Sequence, residues 1–348
     1  LLLKRDIGIS SFNIYKLSLV LYIGDREDKD RRREPMKPGF SIFLLVAEEM
    51  SISAAARRAF VTQQCVSDHI HRLEQEYNAK LFERKPHLKL TQAGEIMLHT
   101  LRSVGILEQT MEKSLQGISS GTKGAFRVGI STSRAQIILP RVLPKYQETF
   151  PDVQISFYVN DTIVLEQQLL EGNIDLFLGV NTSQNPDFSN ISLADDHISL
   201  VISDKLLRQH FGNKDIQAFE HGAELSKFEE VPFSLYYSTG AVNKVISHYL
   251  ETHRLQLTTN YHISDCDTHI ALCASGICAA LCPRMLLVRV GEHNAWVERA
   301  RQLHIFPVQD FDEILRIDLV WHKHTALPLY MRIFMELVRD EVALLAIE

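Results

Sequence analysis

The segment Ser53–Leu73 reads SAAARRAFVTQQCVSDHIHRL, and it constrains the fold more than any other stretch of the chain. Ala54, Ala55 and Ala56 leave so little side chain that a second helix backbone can approach closely. "FVT" breaks the first helix, and Thr62 offers a hydroxyl cap to the next. In that next helix Cys65 or Val66, Ile70, Leu73 and Tyr77 recur at helical spacing and define a buried face. Gln63, Gln64, Ser67, Asp68, His71 and Arg72 fall opposite them. The pattern predicts two helices folded across a short turn, the second presenting a polar face to a partner. "FSIFLLVAEEM" (Phe40–Met50) precedes them as a further amphipathic helix, and Ser51 is placed to cap the alanine-rich one. After "AKLFERK", the segment "HLKLT" returns as a short extended piece. Residues 36–93 therefore predict a winged helix-turn-helix.

A formal charge of −6 over 348 residues means that any contact with a polyanion comes from a local patch. Five cysteines in such a length fit a reducing, cytoplasmic compartment and not a disulfide-built fold. No apolar run reaches the roughly 20 residues that span a bilayer, so no membrane partner is expected. "IYKLSLVLYIG" (Ile14–Gly24) is the nearest, and it lacks the small-residue cleavage site of a signal peptide. Residues 1–35 end in "DREDKDRRREP", a mixed-charge segment without an apolar face. They are expected to be a solvated, disordered extension, or an overlong gene start with Met36 as the native first residue. An intact N-terminal mass of the native protein distinguishes the two.

Thr91–Ile118 predicts one long helix, a linker over residues 94–120. Met97, Leu101, Val104, Leu107 or Glu108, Met111, Leu115 and Ile118 form an apolar stripe near a three-four repeat, the pattern of a helix seeking a partner helix. "SSGTKG" (Ser119–Gly124) ends it as a linker. From Ala125 the period changes. "FRVGIST", "VQISFYV" and "IDLFLGV" read as strands, separated by the helices "LPRVLPKYQETFP" and "TIVLEQQLLEG". "HISLVIS", "FSLYYS", "ICAALCP" and "IDLVWHK" add further strands, and "LPLYMRIFMELVRDEV" closes the chain as a helix. This alternation predicts largely parallel sheets covered by helices. Its length predicts two lobes, one from about 125–197 and 300–342 and the other from about 198–299, within a domain spanning 125–342.

Phe43, Ala47, Glu48, the run "SISAAARRAFVTQQCVSDHIHRLE", and then "LFERK" and "LTQAG" resemble the N-terminal domain of LysR-type transcriptional regulators. "LLEGNIDLFLGV" and "ALCASGICAALCP" resemble the two effector subdomains of that family, although many members carry glycine where Cys278 stands. The resemblance covers Met36 to Val342. It implies an α+β multidomain chain: a winged helix-turn-helix, a dimerising linker helix, and a two-lobed α/β domain like the periplasmic binding proteins, holding a small effector. It also implies a homodimer or homotetramer on double-stranded operator DNA, with RNA polymerase as a further partner.

On that footing each polar residue acquires an expected role. Gln63 and Gln64 present paired donors and acceptors to adenine edges in the major groove, with Ser67 and His71 one and two turns further on. Thr62 and the helix N-terminus can hold a phosphate. Arg57, Arg58 and Arg84 are candidate phosphate clamps, and Arg72 can reach the backbone or neutralise Asp68 at i+4. Asp68 can alternatively accept from a cytosine amino group. For the effector, Ser131, Thr132 and Ser133 follow a strand and open a helix, where hydroxyls and amides converge. Asn160, Asp161 and Thr162 follow the next strand, and Asp161 favours an effector carrying an amine or hydroxyl. Ser238, Thr239 and Ser264 are expected from the opposing lobe. Each hydroxyl taken singly is more often a helix cap, and each arginine has the alternative of an ordinary solvated charge.

No cofactor is expected. Cys266, Cys273, Cys278 and Cys282 are spaced by seven, five and four and include no CxxC, so small buried thiols are favoured over zinc or redox chemistry. The chain has no GxGxxG loop, HExxH or GxSxG, and an enzyme is not expected. The competing reading is a solute-sensing or protein-interaction module without specific DNA binding.

Overall fold

The computed structural model describes residues 37–84, 87–120, 123–212, 219–237 and 240–347. The expectations for residues 1–35 and Met36 lie outside them. The chain divides into two compact units between Glu108 and Gln109.

In the first unit, α1 (Pro38–Glu49), α2 (Ile52–Ala59) and α3 (Gln63–Glu76) are followed by β1 (Phe82–Glu83) and β2 (Lys89–Leu90). The caps are those the hydroxyls predict. Ser51 Oγ accepts the Ala54 N–H and Thr62 Oγ1 accepts that of Cys65, both at 3.2 Å. Ala55, Ala56 and Ala59 are buried with Val66, Ile70 and Leu73, so the small residues do bring α2 against α3. Phe60 sits in the turn at a φ of 57°. Tyr77 does not join the buried face; it terminates α3 and is exposed. β1 and β2 pair antiparallel, Phe82 opposite Leu90, and form the wing. Phe82 packs its ring 5.4 Å from that of Phe43.

The helix α4 (Gln92–Ser120) starts under Thr91, whose Oγ1 accepts the Gly94 N–H at 3.0 Å. Gly94 is required there by space: a Cβ would lie 2.2 Å from the Leu81 carbonyl oxygen. The apolar stripe of α4 divides. Leu101 is buried and Met97 packs on the core of the helix-turn-helix, so neither faces outward for a partner helix. Val104, Leu107, Met111 and Leu115 are exposed. The side chain of Ile118 lies outside the described ones.

The second unit holds two five-stranded sheets. Its first lobe contains β3 (Gly124–Ile130), α5 (Thr132–Thr149), β4 (Val153–Val159), α6 (Thr162–Leu170), β5 (Leu176–Val180) and β6 (Phe188–Asp196). The second contains β7 (Ile198–Ser203), α7 (Asp204–Phe211), β8 (Phe233–Tyr236), α8 (Ala241–Thr252), β9 (Thr259–Ile263), α9 (Cys266–Ala274), β10 (Ala279–Pro283), α10 (Val290–Trp296) and β11 (Leu303–Pro307). The chain then returns through β12 (Leu315–His322) and α11 (Leu329–Ile347). The strand orders are β4-β3-β5-β12-β6 and β11-β7-β10-β8-β9. β11 pairs with β7, so the return to the first lobe follows Pro307 and not residue 300. Both sheets are mixed. β12 runs antiparallel to β5 and β6, and β7 antiparallel to β10 and β11, which corrects the largely parallel expectation. One continuous core spans the two lobes, from Phe126 and Tyr146 to Phe228 and Phe306.

A buried carboxylate links α3 to the wing. Glu74 accepts the Leu81 N–H at 3.0 Å and Lys80 Nζ at 2.9 Å. Burial opposes its charge, but the bonds from Lys80 and the Leu81 backbone outweigh it and hold the carboxyl below its ordinary 4.5. A depressed folded value means that this stabilisation is present above the unfolded value and is lost as pH falls through the folded one. Glu74→Ala should therefore destabilise the first unit by about 1–3 kcal/mol at neutral pH, because it strands the buried Leu81 N–H. Hydrogen exchange across residues 74–92 of the full chain measures this; unchanged protection would place the wing's anchor elsewhere.

Candidate nucleic-acid interface and interlobe site

The N-terminus of α3 is open to solvent. Thr62, Gln63 and Gln64 are exposed, Ser67 and Asp68 one turn on are half-buried, and His71 and Arg72 two turns on are exposed. Val66, Ile70 and Leu73 anchor the opposite face and fix this presentation. Asp68 has a different partner from the one expected: Gln64 Nε2 donates to its Oδ1 at 2.8 Å, across one helical turn. Gln64 thus enters any interface with one amide hydrogen already engaged, while the Gln63 side chain makes no hydrogen bond among the described residues. His71 shares a 3.0 Å contact with Gln75.

The arginines separate by environment. Arg57 is exposed, and so is Arg84 at the start of the wing loop. Arg58 is not available as a phosphate clamp. Its Nη1 donates to Glu48 Oε2 and Glu49 Oε1, both at 2.8 Å, and so pins α2 to the end of α1.

In the second unit the hydroxyl cluster opens α5. Ser131 is its N-cap residue but makes no side-chain cap bond, and its Oγ is buried without a partner. Thr132 is exposed and Ser133 half-buried. The Asn160 N–H donates to the Ile130 carbonyl at 3.2 Å, which sets the Asn160–Asp161 loop beside Ser131. Asn160 and Asp161 are exposed, and Asp161 is the N-cap residue of α6. Thr162 is otherwise occupied: its Oγ1 accepts the Val180 N–H at 3.0 Å and closes α6 onto β5. Ser264 is exposed just ahead of Asp265, whose carboxylate caps α9. Ser238 and Thr239 lie outside the described residues.

Beneath Ser131 the structure adds residues that the sequence reading passed over. Arg134 is only 4% exposed, and its Nε and Nη2 have no hydrogen-bond partner. Its Nη2 stands 3.6 Å from Asp196 Oδ2, which is equally unpartnered. Burial pulls the guanidinium down from its ordinary value and pushes the Asp196 carboxyl up, each only partly opposed by the other. Tyr236 and Cys266 of the second lobe lie within electrostatic reach of Arg134. The available signal was Arg134 itself, which stands three and four residues before Ile137 and Ile138 on the face that becomes buried. Nothing in "ADDH" marked Asp196.

A groove of about 480 Å³ also opens on the first lobe, with Thr182, Asn185, Asn190 and Arg316 in its walls. The Asp318 carboxylate there is already satisfied by Thr182 at 2.7 Å and Arg316 at 3.0 Å. The four cysteines of the second lobe are buried free thiols. Among the described residues no group of three His, Cys, Asp or Glu side chains is placed to hold a metal, and no helix is long and apolar enough to cross a membrane.

Two family profiles match this arrangement. "Bacterial regulatory helix-turn-helix protein, lysR family" covers residues 39–95, and "LysR substrate binding domain" covers residues 119–343. The chain belongs to the LysR family. Among LysR-family relatives, the transcriptional regulator AlsR of Bacillus subtilis is 35% identical over 136 residues, 38% of this chain and 45% of that protein. YofA of the same organism is 32% identical over 163 residues, 47% of this chain and 57% of that protein. The chain spans about half the length of the curated relatives it matches. ArgP from Mycobacterium tuberculosis shares the fold with a TM-score of 0.61 at 17% identity, over 89% of this chain and 98% of that one.

The contrast between the two neighbouring arginines is testable on any duplex the chain binds. Arg57→Ala should weaken specific and scrambled duplexes alike and flatten the log–log salt slope by about 1. Arg58→Ala should instead lower the thermal stability of the first unit, since it frees two carboxylates from their shared cation. Equal effects of the two substitutions on the salt slope would contradict the assignment.

Proposed function

We propose that this LysR-family chain is a homo-oligomeric, sequence-specific DNA-binding regulator of transcription, controlled by a small effector held between the lobes of its second unit. The observation that carries this reading is the solvent-facing N-terminus of α3, where Gln63 and Gln64 stand on a helix whose opposite face is locked into a core. That geometry fits insertion into a major groove, where amide side chains distinguish adenine from the other bases. Phosphate contacts from Thr62, Arg57, Arg84 and the helix N-terminus then set the register, while the base edges specify. The exposed segment of α4 pairs with the same helix of a second copy, and RNA polymerase is the partner through which operator occupancy is read.

The test is selection of bound duplexes from a genomic fragment pool by the full chain, followed by footprinting. Recovery of a defined, two-fold-related site supports the reading; salt-dependent binding without preference would leave a sensing module without operator recognition. On the recovered site, Gln63→Ala should cost about 1–3 kcal/mol of discrimination against a scrambled duplex while leaving most non-specific binding. An unchanged ratio would place Gln63 off the groove.

The division of the α4 stripe gives two opposite outcomes. Met111→Asp should convert the oligomer to smaller species with native circular dichroism, because a charge would enter the helix pair. It should lower operator occupancy in parallel, since linked half-sites gain through effective concentration. Leu101→Asp should unfold the first unit instead. Analytical ultracentrifugation separates these cases; a Met111→Asp chain of wild-type mass would remove α4 from the oligomer contact.

A further inference from the structure

Arg134, Asp196 and Ser131 form a set of polar groups that lacks one member. The Ser131 hydroxyl and two nitrogens of a nearly inaccessible guanidinium are unpartnered at the opening of α5, an 18-residue helix whose free N–H groups add positive potential. Beside them Asp196 uses Oδ1 to accept the His197 N–H at 2.9 Å and the Met285 N–H at 3.0 Å, and leaves Oδ2 empty. At 3.6 Å Arg134 and Asp196 are close enough to attract, yet too far apart to satisfy each other by a hydrogen bond. The Tyr236 hydroxyl in the second lobe is likewise buried without a hydrogen-bond partner, within electrostatic reach of Arg134. Unsatisfied buried polar groups are rare and costly, and here they are of both signs.

We propose that the effector of this chain is a small 2-amino or 2-hydroxy carboxylic acid. Its carboxylate is received by the Arg134 fork and the Ser131 hydroxyl, and its ammonium or hydroxyl donates to Asp196 Oδ2. A simple anion would leave Asp196 unpaired and repelling it, and a simple amine would leave Arg134 unpaired. A 2-amino acid completes each half of the pair without adding net charge, and a 2-hydroxy acid offsets its carboxylate's repulsion by a hydroxyl that donates to Asp196 Oδ2. Tyr236 and Asp196 stand on opposite sides of the crossing between sheets, so the same ligand favours one setting of the lobes over another. This inference rests on the effector-controlled reading above and names the ligand class for that site.

The experiment is calorimetric titration of the full chain with the common L-amino acids and with glycolate, L-lactate and L-malate. Propionate, succinate and propylamine serve as analogues lacking one of the two groups. At least one two-group acid should bind, and its single-group analogues should bind at least about tenfold more weakly, because each leaves a buried charge unmatched. Ser131→Ala, which keeps the charges in place, should weaken the best ligand by about 2–10-fold, the worth of one hydrogen bond. Arg134→Gln should abolish its binding. If Arg134→Gln does not fold, the analogue series and Ser131→Ala decide on their own. Equal binding of a single-group analogue, indifference to Ser131→Ala, or no binding across the two-group acids would each overturn the proposal. Where a sugar phosphate, nucleotide or aromatic acid nevertheless shifts the footprint, the ligand class alone is wrong. Where no compound shifts it, effector control falls as well.

Discussion

The second unit depends on a carboxylate placed where the chain changes sheets. Asp196 ends β6 in one sheet, and a single residue separates it from β7 in the other. Of its two backbone hydrogen bonds, one comes from His197 within the crossing and the other ties the crossing to Met285, two residues after β10. The chain crosses back only after β11, between Pro307 and Leu315. The topology of both lobes is thus closed around a buried carboxyl group. Such a group has to be compensated from its surroundings. Two backbone donors and a guanidinium at 3.6 Å supply part of that compensation, and Oδ2 is left without a hydrogen-bond partner.

Elements governed by short-range physics were legible in the sequence. Ser51 and Thr62 cap their helices because a hydroxyl three residues before an amide needs no help from the rest of the fold. The buried faces of α1 to α3 follow from periodicity for the same reason. Sheet composition was less legible. β6, β9 and β11 carry no continuous apolar run: β9 is half-buried at its ends and exposed between, and β6 is exposed along its middle. Their strand character comes from pairing with partners distant in sequence, and the antiparallel entry of β12 beside β5 could not be read from local alternation.

The site residues divide along the same line. The solvent-facing positions of α3 were legible because the buried face of one helix determines its opposite. Partnerships were not. Arg58 is claimed by carboxylates nine and ten residues back, and Asp68 by Gln64 instead of Arg72, because both outcomes depend on where side chains of other turns come to rest. Arg134 was within reach of a sequence argument, since a charge at i−3 and i−4 to two isoleucines of the buried face is an anomaly. Its partner Asp196 was out of reach, being 62 positions away and fixed only by the crossing of the sheets.

The helix α4 shows why a regular apolar pattern underdetermines its use. Met97 and Leu101 complete a core that the first unit already owns, while Met111 and Leu115 continue the same spacing into solvent. One sequence period therefore runs through two environments in turn, and only burial separates them. This matters for how an acidic chain can hold a polyanion. With Arg58 paired inside the module, Arg57, Arg72 and Arg84 are exposed cations of the first unit that a polyanion can reach. On the proposed reading, a second copy brought by the exposed part of α4 doubles those contacts and converts the second into an intramolecular one. On the proposed reading, oligomerisation supplies the affinity that the net charge of −6 withholds, and the amides at the start of α3 are left to supply selectivity.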